Sequence, residues 1–220
     1  MPAGDLGQLP ACSGDRKPKQ VFQGGIGPDV LITTEAGPIP ARQITKGMRV
    51  LTQAQGYRPV LWAGLERRLH SGAGRPVPIM LRGGALNGQV RAKTTVLAPG
   101  QNVLLRHQMN ELFFAAPTVL CAAQDLGDLP RVERMHGQHA AHWVHLMFDD
   151  LALVDAGGLW LESLAPNMHA LRKRYPQMAA GIEIAAPSLR YEHGQAAFAR
   201  SHSVLNRKES RMLDPAGYLT

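Results

Sequence analysis

The sequence predicts a mostly β body followed by a short helical tail. Three observations carry this. Short apolar segments recur about every ten residues through the middle of the chain, the spacing of strands in an all-β sandwich or barrel. Gly and Pro, 23 and 16 of 220 residues, make up about 18%, against roughly 12% in an average protein, which favours many turns. Helical periodicity is missing before Pro166 and emerges only after it.

The candidate strands follow in order. Val30–Thr34 is closed by Ala36-Gly37-Pro38. Met48–Thr52 follows Lys46-Gly47 and stops before Gln55-Gly56. Pro59–Arg67 comes next, then Val77–Arg82, which ends at Gly83-Gly84. Thr94–Ala98 meets Pro99-Gly100, beyond which run Val103–Arg106, Phe113–Ala116 and Val119–Ala122. His142–Phe148 and Leu151–Asp155 lead to Gly157-Gly158. In the last fifty or so residues, Pro166–Ala180 and Ser188–Leu205 hold Ala, Leu, Arg and Gln at loose 3.6 spacing and read as two short amphipathic helices. Pro176, Gly181, Pro187 and Gly194 interrupt them, and Asn206 to Thr220 reads as a frayed end.

Composition excludes several classes. No run of about 18 apolar residues occurs, so no membrane-spanning helix is expected. Residues 1–24 are rich in Gly, Pro and polar groups and read as a disordered lead-in. They lack the apolar core of a signal peptide, so a cytoplasmic location, or export by a signal-independent route, is expected. Two cysteines, Cys12 and Cys121, make no disulfide framework. Cys12 reads as a free thiol in the lead-in and Cys121 as a small buried hydrophobe. The net charge is +7, and residues 165–220 hold eight basic and four acidic groups, net +4. Arg172-Lys173-Arg174 and Arg207-Lys208 could meet phosphates. Aromatics are sparse and no nucleic-acid fold is visible, so solubility is the preferred reading.

Three stretches resemble a known family. They are Leu31–Pro40 running on through Ile44–Thr52 to Trp62-Ala63-Gly64; Pro76–Leu86 running on to Leu97–Leu105; and Val144–Asp149 followed by Leu161–Leu164. In this order they resemble the Hint (Hedgehog/intein) domain, in particular its bacterial branch in alphaproteobacterial proteins. The resemblance covers about residues 25–165. It implies a horseshoe of bent β-hairpins and self-processing chemistry. In active relatives a Cys or Ser at the start of the first strand attacks the preceding carbonyl, and a Thr/Ser-x-x-His block activates that peptide bond.

The residues that chemistry requires are absent. Counting back from Gly37, the family's nucleophile falls on Gly25, which has no side chain. The activating block falls on Ala98-Pro99-Gly100-Gln101. Ala98 stands for the hydroxyl residue and Gln101 for the imidazole. A positioned general acid or base is worth about 10²–10⁴ in rate, and glutamine shuttles no proton near pH 7. The family's acidic residue maps to Thr94 and its later His to Leu151. Restoring Gly25→Cys, Ala98→Ser and Gln101→His together is expected to recover slow cleavage before residue 25 if the cleft has kept its shape.

His136, His139, His142 and His145 recur every three residues. On a strand His142 and His145 would diverge, so no metal site is assigned; His139 with His142 is the best pair should one exist. These histidines otherwise read as solvated. No cofactor is expected. The resulting expectation is three parts: a lead-in at 1–24, a Hint-like domain at 25–165 and a basic, partly helical tail at 166–220. The domain is read as catalytically degenerate, a structural or binding module with a protein as the candidate partner. The alternative is a self-cleaving domain that releases residues 1–24. A third reading is a nucleic-acid or lipid-surface binder working through the tail.

Overall fold

A computed structural model of the chain describes residues 22–69, 77–86, 93–127, 129–137 and 140–213. The first hairpin pairs β1 (Leu31–Thr34) with β2 (Gly37–Pro40), Ile32 opposite Ile39. The second pairs β3 (Arg49–Thr52) with β4 (Gly56–Pro59), Val50 opposite Arg58. Then come β5 (Trp62–Leu69), β6 (Ile79–Leu81), β7 (Thr95–Leu97) and β8 (Asn102–Arg106). A short helix, α1 (Met109–Phe114), precedes β9 (Thr118–Ala122), β10 (Val132–Arg134) and β11 (Ala140–Met147). The last hairpin is β12 (Leu153–Ala156) with β13 (Leu159–Glu162).

The strands form three antiparallel groups. The largest runs β2-β1-β3-β12-β13-β8-β9, with β4 also on β3. A smaller group runs β10-β6-β7, and the eight-residue arms β5 and β11 pair with each other from Leu69↔Ala140 to Trp62↔Met147. The alternation of strands fixes what is buried: Ile32, Val50, Val103, Leu105, Val119, Val154 and Leu161 are all fully enclosed and form the main core with Ile26, Leu97 and Leu146.

After Glu162 the chain turns helical. α2 (Met168–Arg174) opens on Asn167, whose side chain accepts from the Ala170 N–H at 3.1 Å. α3 (Pro176–Ala185) follows after one residue, and Pro176 stands at its first position, where a missing N–H costs nothing. The remaining pieces are single turns, α4 (Glu192–Gln195) and α5 (Arg207–Ser210) among them. These helices build a second core: Met168, Leu171, Ala179, Ile182 and Leu189 pack on Met147 of β11 and on Phe22. No helix among the described residues is long and apolar enough to cross a membrane.

Several expectations are corrected. Phe113 and Phe114 end a helix, not a strand. Buried Asn110 nucleates that turn by donating to the carbonyls of Leu105 and Pro117, and Ala115 in the left-handed region stops it. Of Ala36-Gly37-Pro38, read as a turn, Ala36 lies in the turn but Gly37 and Pro38 open an edge strand, Gly37–Pro40, where prolines cost no ladder bond. The segment read as one strand from Pro59 is two, broken at Val60-Leu61. Strands β10 and β13 have no counterpart among the candidates. Gly181 does not interrupt α3, because the helix lies against Trp62 there: a Cβ at 181 would sit 3.3 Å from the indole Nε1. Asn206 does not begin a frayed end. It caps α5 reciprocally, its side chain accepting from Lys208 and Glu209 while Glu209 accepts from the Asn206 N–H.

Candidate functional site

The site is built where the described chain begins. Ile26 forms a two-way bridge with Val144 of β11, N–H to carbonyl at 3.0 and 2.8 Å. On its other side, Ala98 N–H donates to the Gly25 carbonyl at 2.9 Å and Gly27 N–H to the Val96 carbonyl at 2.8 Å. Residues 25–27 are therefore threaded between β7 and β11. This holds the Gly24–Gly25 peptide unit against the turn that follows β7.

Both ends of that peptide unit are gripped by side chains. Its N–H donates to Gln101 Oε1 at 2.8 Å, and its carbonyl oxygen accepts from Arg68 Nη2 at 3.1 Å. Gln101 is itself saturated: its Nε2 donates to the carbonyls of Asn102 and Glu162 at 3.0 and 2.9 Å, and its backbone N–H closes the turn on Ala98. Arg68 is fixed by Glu66, which it meets with Nε and Nη2 at 3.2 and 2.6 Å. The two lie at i and i+2 on β5 and so share a face. Diagonally across the β5–β11 pair, His145 places Nε2 3.0 Å from Glu66 Oε2.

Burial sets the charge states here. Burial alone would push the Glu66 carboxyl up, but the bonds from His145 and Arg68 outweigh it and hold the group below the ordinary carboxylate value. Burial pushes the His145 imidazole down. Glu66 opposes this and Arg68 adds to it, and the ring lies below its ordinary value. The site thus holds a carboxylate paired with a guanidinium and a neutral imidazole that donates from Nε2.

A cleft of about 280 Å³ opens beside this junction, lined among others by Gly25, Gln101, His145, Glu162, Phe198 and Arg200. Arg200 reaches in from the tail and grips Glu162 through Nε and Nη2 at 2.7 and 3.2 Å, while Asn102 Nδ2 donates to the same carboxylate at 2.7 Å.

Of the positions singled out in the sequence, Gly25, Ala98 and Gln101 come together. Thr94 is exposed ahead of β7, and Leu151 lies between β11 and β12 with its N–H toward the Ala197 carbonyl at 3.4 Å. Neither lines the cleft. Gly25 has φ +147°, and a Cβ there would sit 2.6 Å from Trp143 Cβ and 3.4 Å from Ala98 Cβ. The space a nucleophilic side chain would need is occupied by fully buried Trp143. His145, read as solvated, is 4% exposed, on the face of β11 that it shares with Trp143, whereas His142 is exposed near the start of the strand. His139 and Cys12 lie outside the described residues. Cys121 is buried on β9, and burial pushes its thiol up to about 12. Sequence reasoning missed Phe22, Glu66, Arg68, Trp143 and Arg200. The one available signal was Glu66 with Arg68, two charges at strand spacing beside apolar residues.

The arrangement can polarise the Gly24 carbonyl through Arg68 and hold the amide through Gln101. It presents no side chain at residue 25 to attack. Among solved structures the chain is similar to the crystal structure of the gp41-1 intein, at 13% identity over 64% of this chain and 98% of that one, TM-score 0.39. It is also similar to the AceL NrdHF class 3 split intein, at 13% identity, 63% and 97% coverage and TM-score 0.40. The bacterial intein-like domain from Clostridium thermocellum gives 11% identity, 65% and 99% coverage and TM-score 0.38. No curated protein matches. The family model described as a Hint domain matches residues 26–168, well over half of the chain, and the chain therefore belongs to the Hint domain family.

Proposed function

We propose that this Hint domain has lost self-processing chemistry and serves as a structural or binding module that keeps its N-terminal junction intact. The observation that carries the reading is the filling of the nucleophile's place. Covalent catalysis needs a thiol or hydroxyl that can reach the Gly24 carbonyl. Trp143 occupies the direction in which such a side chain would leave residue 25. Gln101 supports the same reading, since it holds the amide by accepting its proton's hydrogen bond and has no basicity to take the proton away. The organisation that goes with this is a lead-in at 1–24, a Hint body at 25–165 and a tail at 166–220, whose helices over 168–189 pack back on that body. A cytoplasmic location, or export by a signal-independent route, belongs to the same proposal.

The test is the mass of freshly expressed protein before and after long incubation with a thiol or with hydroxylamine, which capture thioesters and esters. A single species at 23.9 kDa is expected throughout. A product lacking residues 1–24 would replace this reading with the self-cleaving one.

A further inference from the structure

We propose that the outer edge of β5 is a docking site for an extended segment of another protein, apolar between acidic ends, which adds to the domain as a further strand. The proposal deepens the binding-module reading given above, and rests on it, by naming the partner's chemistry. The edge is bare: β5 pairs with β11 alone among the described residues. In an antiparallel ladder, successive residues turn their N–H and carbonyl groups to opposite sides. Val144 gives both of its groups to Ile26, and Leu146 gives its carbonyl to the Leu164 N–H. Trp143, His145 and Met147 therefore face β5, opposite Glu66, Gly64 and Trp62. Ala63, Leu65 and Arg67 are left with backbone groups directed outward, and no backbone partner meets them among the described residues.

The other sheet edges are blunted. β2 carries Pro38 and Pro40, and β4 ends at Pro59. β9 is covered by the tail, since Leu120 donates to the Ser203 carbonyl and accepts from the Leu205 N–H. Gly27 donates to Val96 on the outer side of β7, and β10 is three residues long. β5, at eight residues, is the long edge left open. Such an edge is a template for one more strand, which main-chain bonds hold and side-chain contacts select.

The flanks of the edge select. Side chains 63, 65 and 67 share one face. Leu65, in the middle, is 55% exposed. Beside Ala63 a groove of about 290 Å³ opens, lined among others by Lys46, Trp62, Gly181, Ile184 and Ala185. Its indole wall is fixed in place: the Trp62 ring fills the space above Gly64 and its Nε1 edge meets Gly181 of α3. Ile184 stands on the rim, largely exposed. Lys46 at one end and Arg67 at the other are exposed, and neither has a carboxylate partner among the described residues. The edge thus offers directed backbone bonds, apolar surface and positive charge at both ends. A second copy would bring the same positive ends and the same net charge of +7, so an acidic-ended strand is the complementary occupant. A single added strand buries less than the roughly 1,200 Å² of a standard interface, so the contact is a transient one.

Amide hydrogen exchange on the full-length chain, followed by NMR, tests this with a synthetic peptide. The probe is acetylated and amidated, has the eight-residue length of β5, and alternates Val with Thr between terminal Asp residues. In the free protein the Ala63, Leu65 and Arg67 amides should exchange like exposed amides, and those of Gly64 and Glu66 slowly. Millimolar peptide should slow the first three at least tenfold and shift the resonances of Lys46 and Ile184. Leu65→Pro takes an N–H from the outer edge and none from the β11 ladder, and should abolish the protection. Arg67→Glu, at an exposed position, keeps the test valid should that proline disturb the strand. It should weaken the Asp-ended peptide at least threefold and strengthen the same peptide ended in Lys. Outward amides already slow in the free chain, no response to the peptide, or equal binding by Arg67→Glu would overturn the proposal. Protection that rises with protein concentration alone would also overturn it, giving the edge to a second copy. The masses of the same samples keep two failures apart. A cleaved chain counts against the function proposed above; an intact chain whose β5 amides ignore the peptide counts against the docking edge alone.

Discussion

Gly25 and Trp143 constrain each other. With Cβ atoms driven to 2.6 Å, a side chain at 25 parts the Ile26–Val144 bridge or displaces a fully buried indole. Gly25→Cys should therefore cost about 2–4 kcal/mol, combining a strained backbone with overpacking. Thermal unfolding checks it: at about 2–4 °C per kcal/mol the midpoint should fall by roughly 5–15 °C. On the function proposed above, the triple replacement with Ala98→Ser and Gln101→His should likewise fail to cleave: the expectation from sequence holds only for a cleft of kept shape, and Trp143 lies where a side chain at 25 would go. His145 yields a second prediction. Its folded value lies below the ordinary 6.5, so above 6.5 neither state binds the proton and its contribution is fully present. As pH falls below 6.5 the unfolded chain takes up a proton that the folded chain refuses, and stability drops by up to about 1.4 kcal/mol per pH unit until the folded value is passed. Glu66 acts in the same direction in a lower window, its contribution being present above 4.5 and lost as pH falls through its depressed folded value. Thermal midpoints between pH 7 and 5 should slope downward in the unaltered protein and flatten in His145→Gln.

At the scale of elements, α3 separates burial from mere hydrophobicity. Ile182 and Ile184 are two residues apart on one helix, the first fully buried against Phe22 and Met147, the second 72% exposed. Ile182→Ala should cost about 2–5 kcal/mol and Ile184→Ala no more than about 0.5 kcal/mol, read as denaturation midpoints. Sequence periodicity does not distinguish them, because α3 is apolar on most sides. The strands were easier to read. Val30–Thr34, Met48–Thr52 and Val119–Ala122 are alternating or β-branched runs bounded by turns, and local pattern suffices for those. Local pattern failed at Phe113, where a buried asparagine five residues from Leu105 decides for helix, and at Gly37–Pro40, where position at a sheet edge makes two prolines harmless. The candidate site was legible only where a family pattern could be laid over the chain, at Gly25, Ala98 and Gln101. Glu66 and Arg68 are marked locally only as two charges at strand spacing; His145 joins them through the β5–β11 register and Arg200 arrives from the tail, so nothing local marks those two.

For the whole molecule, the decisive question is whether the tail is an appendage. Met168, Leu171, Ile182 and Leu189 are fully buried, and removing them uncovers Met147 and Phe22. A chain ended after Pro166 should lose cooperative unfolding, bind an apolar dye and elute as aggregate on gel filtration. A monomer with an unchanged midpoint would show that the helices are dispensable. The shared core also has a consequence in time. Synthesis runs from the N-terminus, and Phe22 leaves the ribosome before any strand of the domain, yet the walls that enclose it are translated some 150 residues later. The β-hairpins can close as they emerge, but Phe22 must wait, unhoused, until Leu189 and its neighbours are made. A residue translated ahead of the whole domain is thus among the last to find its place.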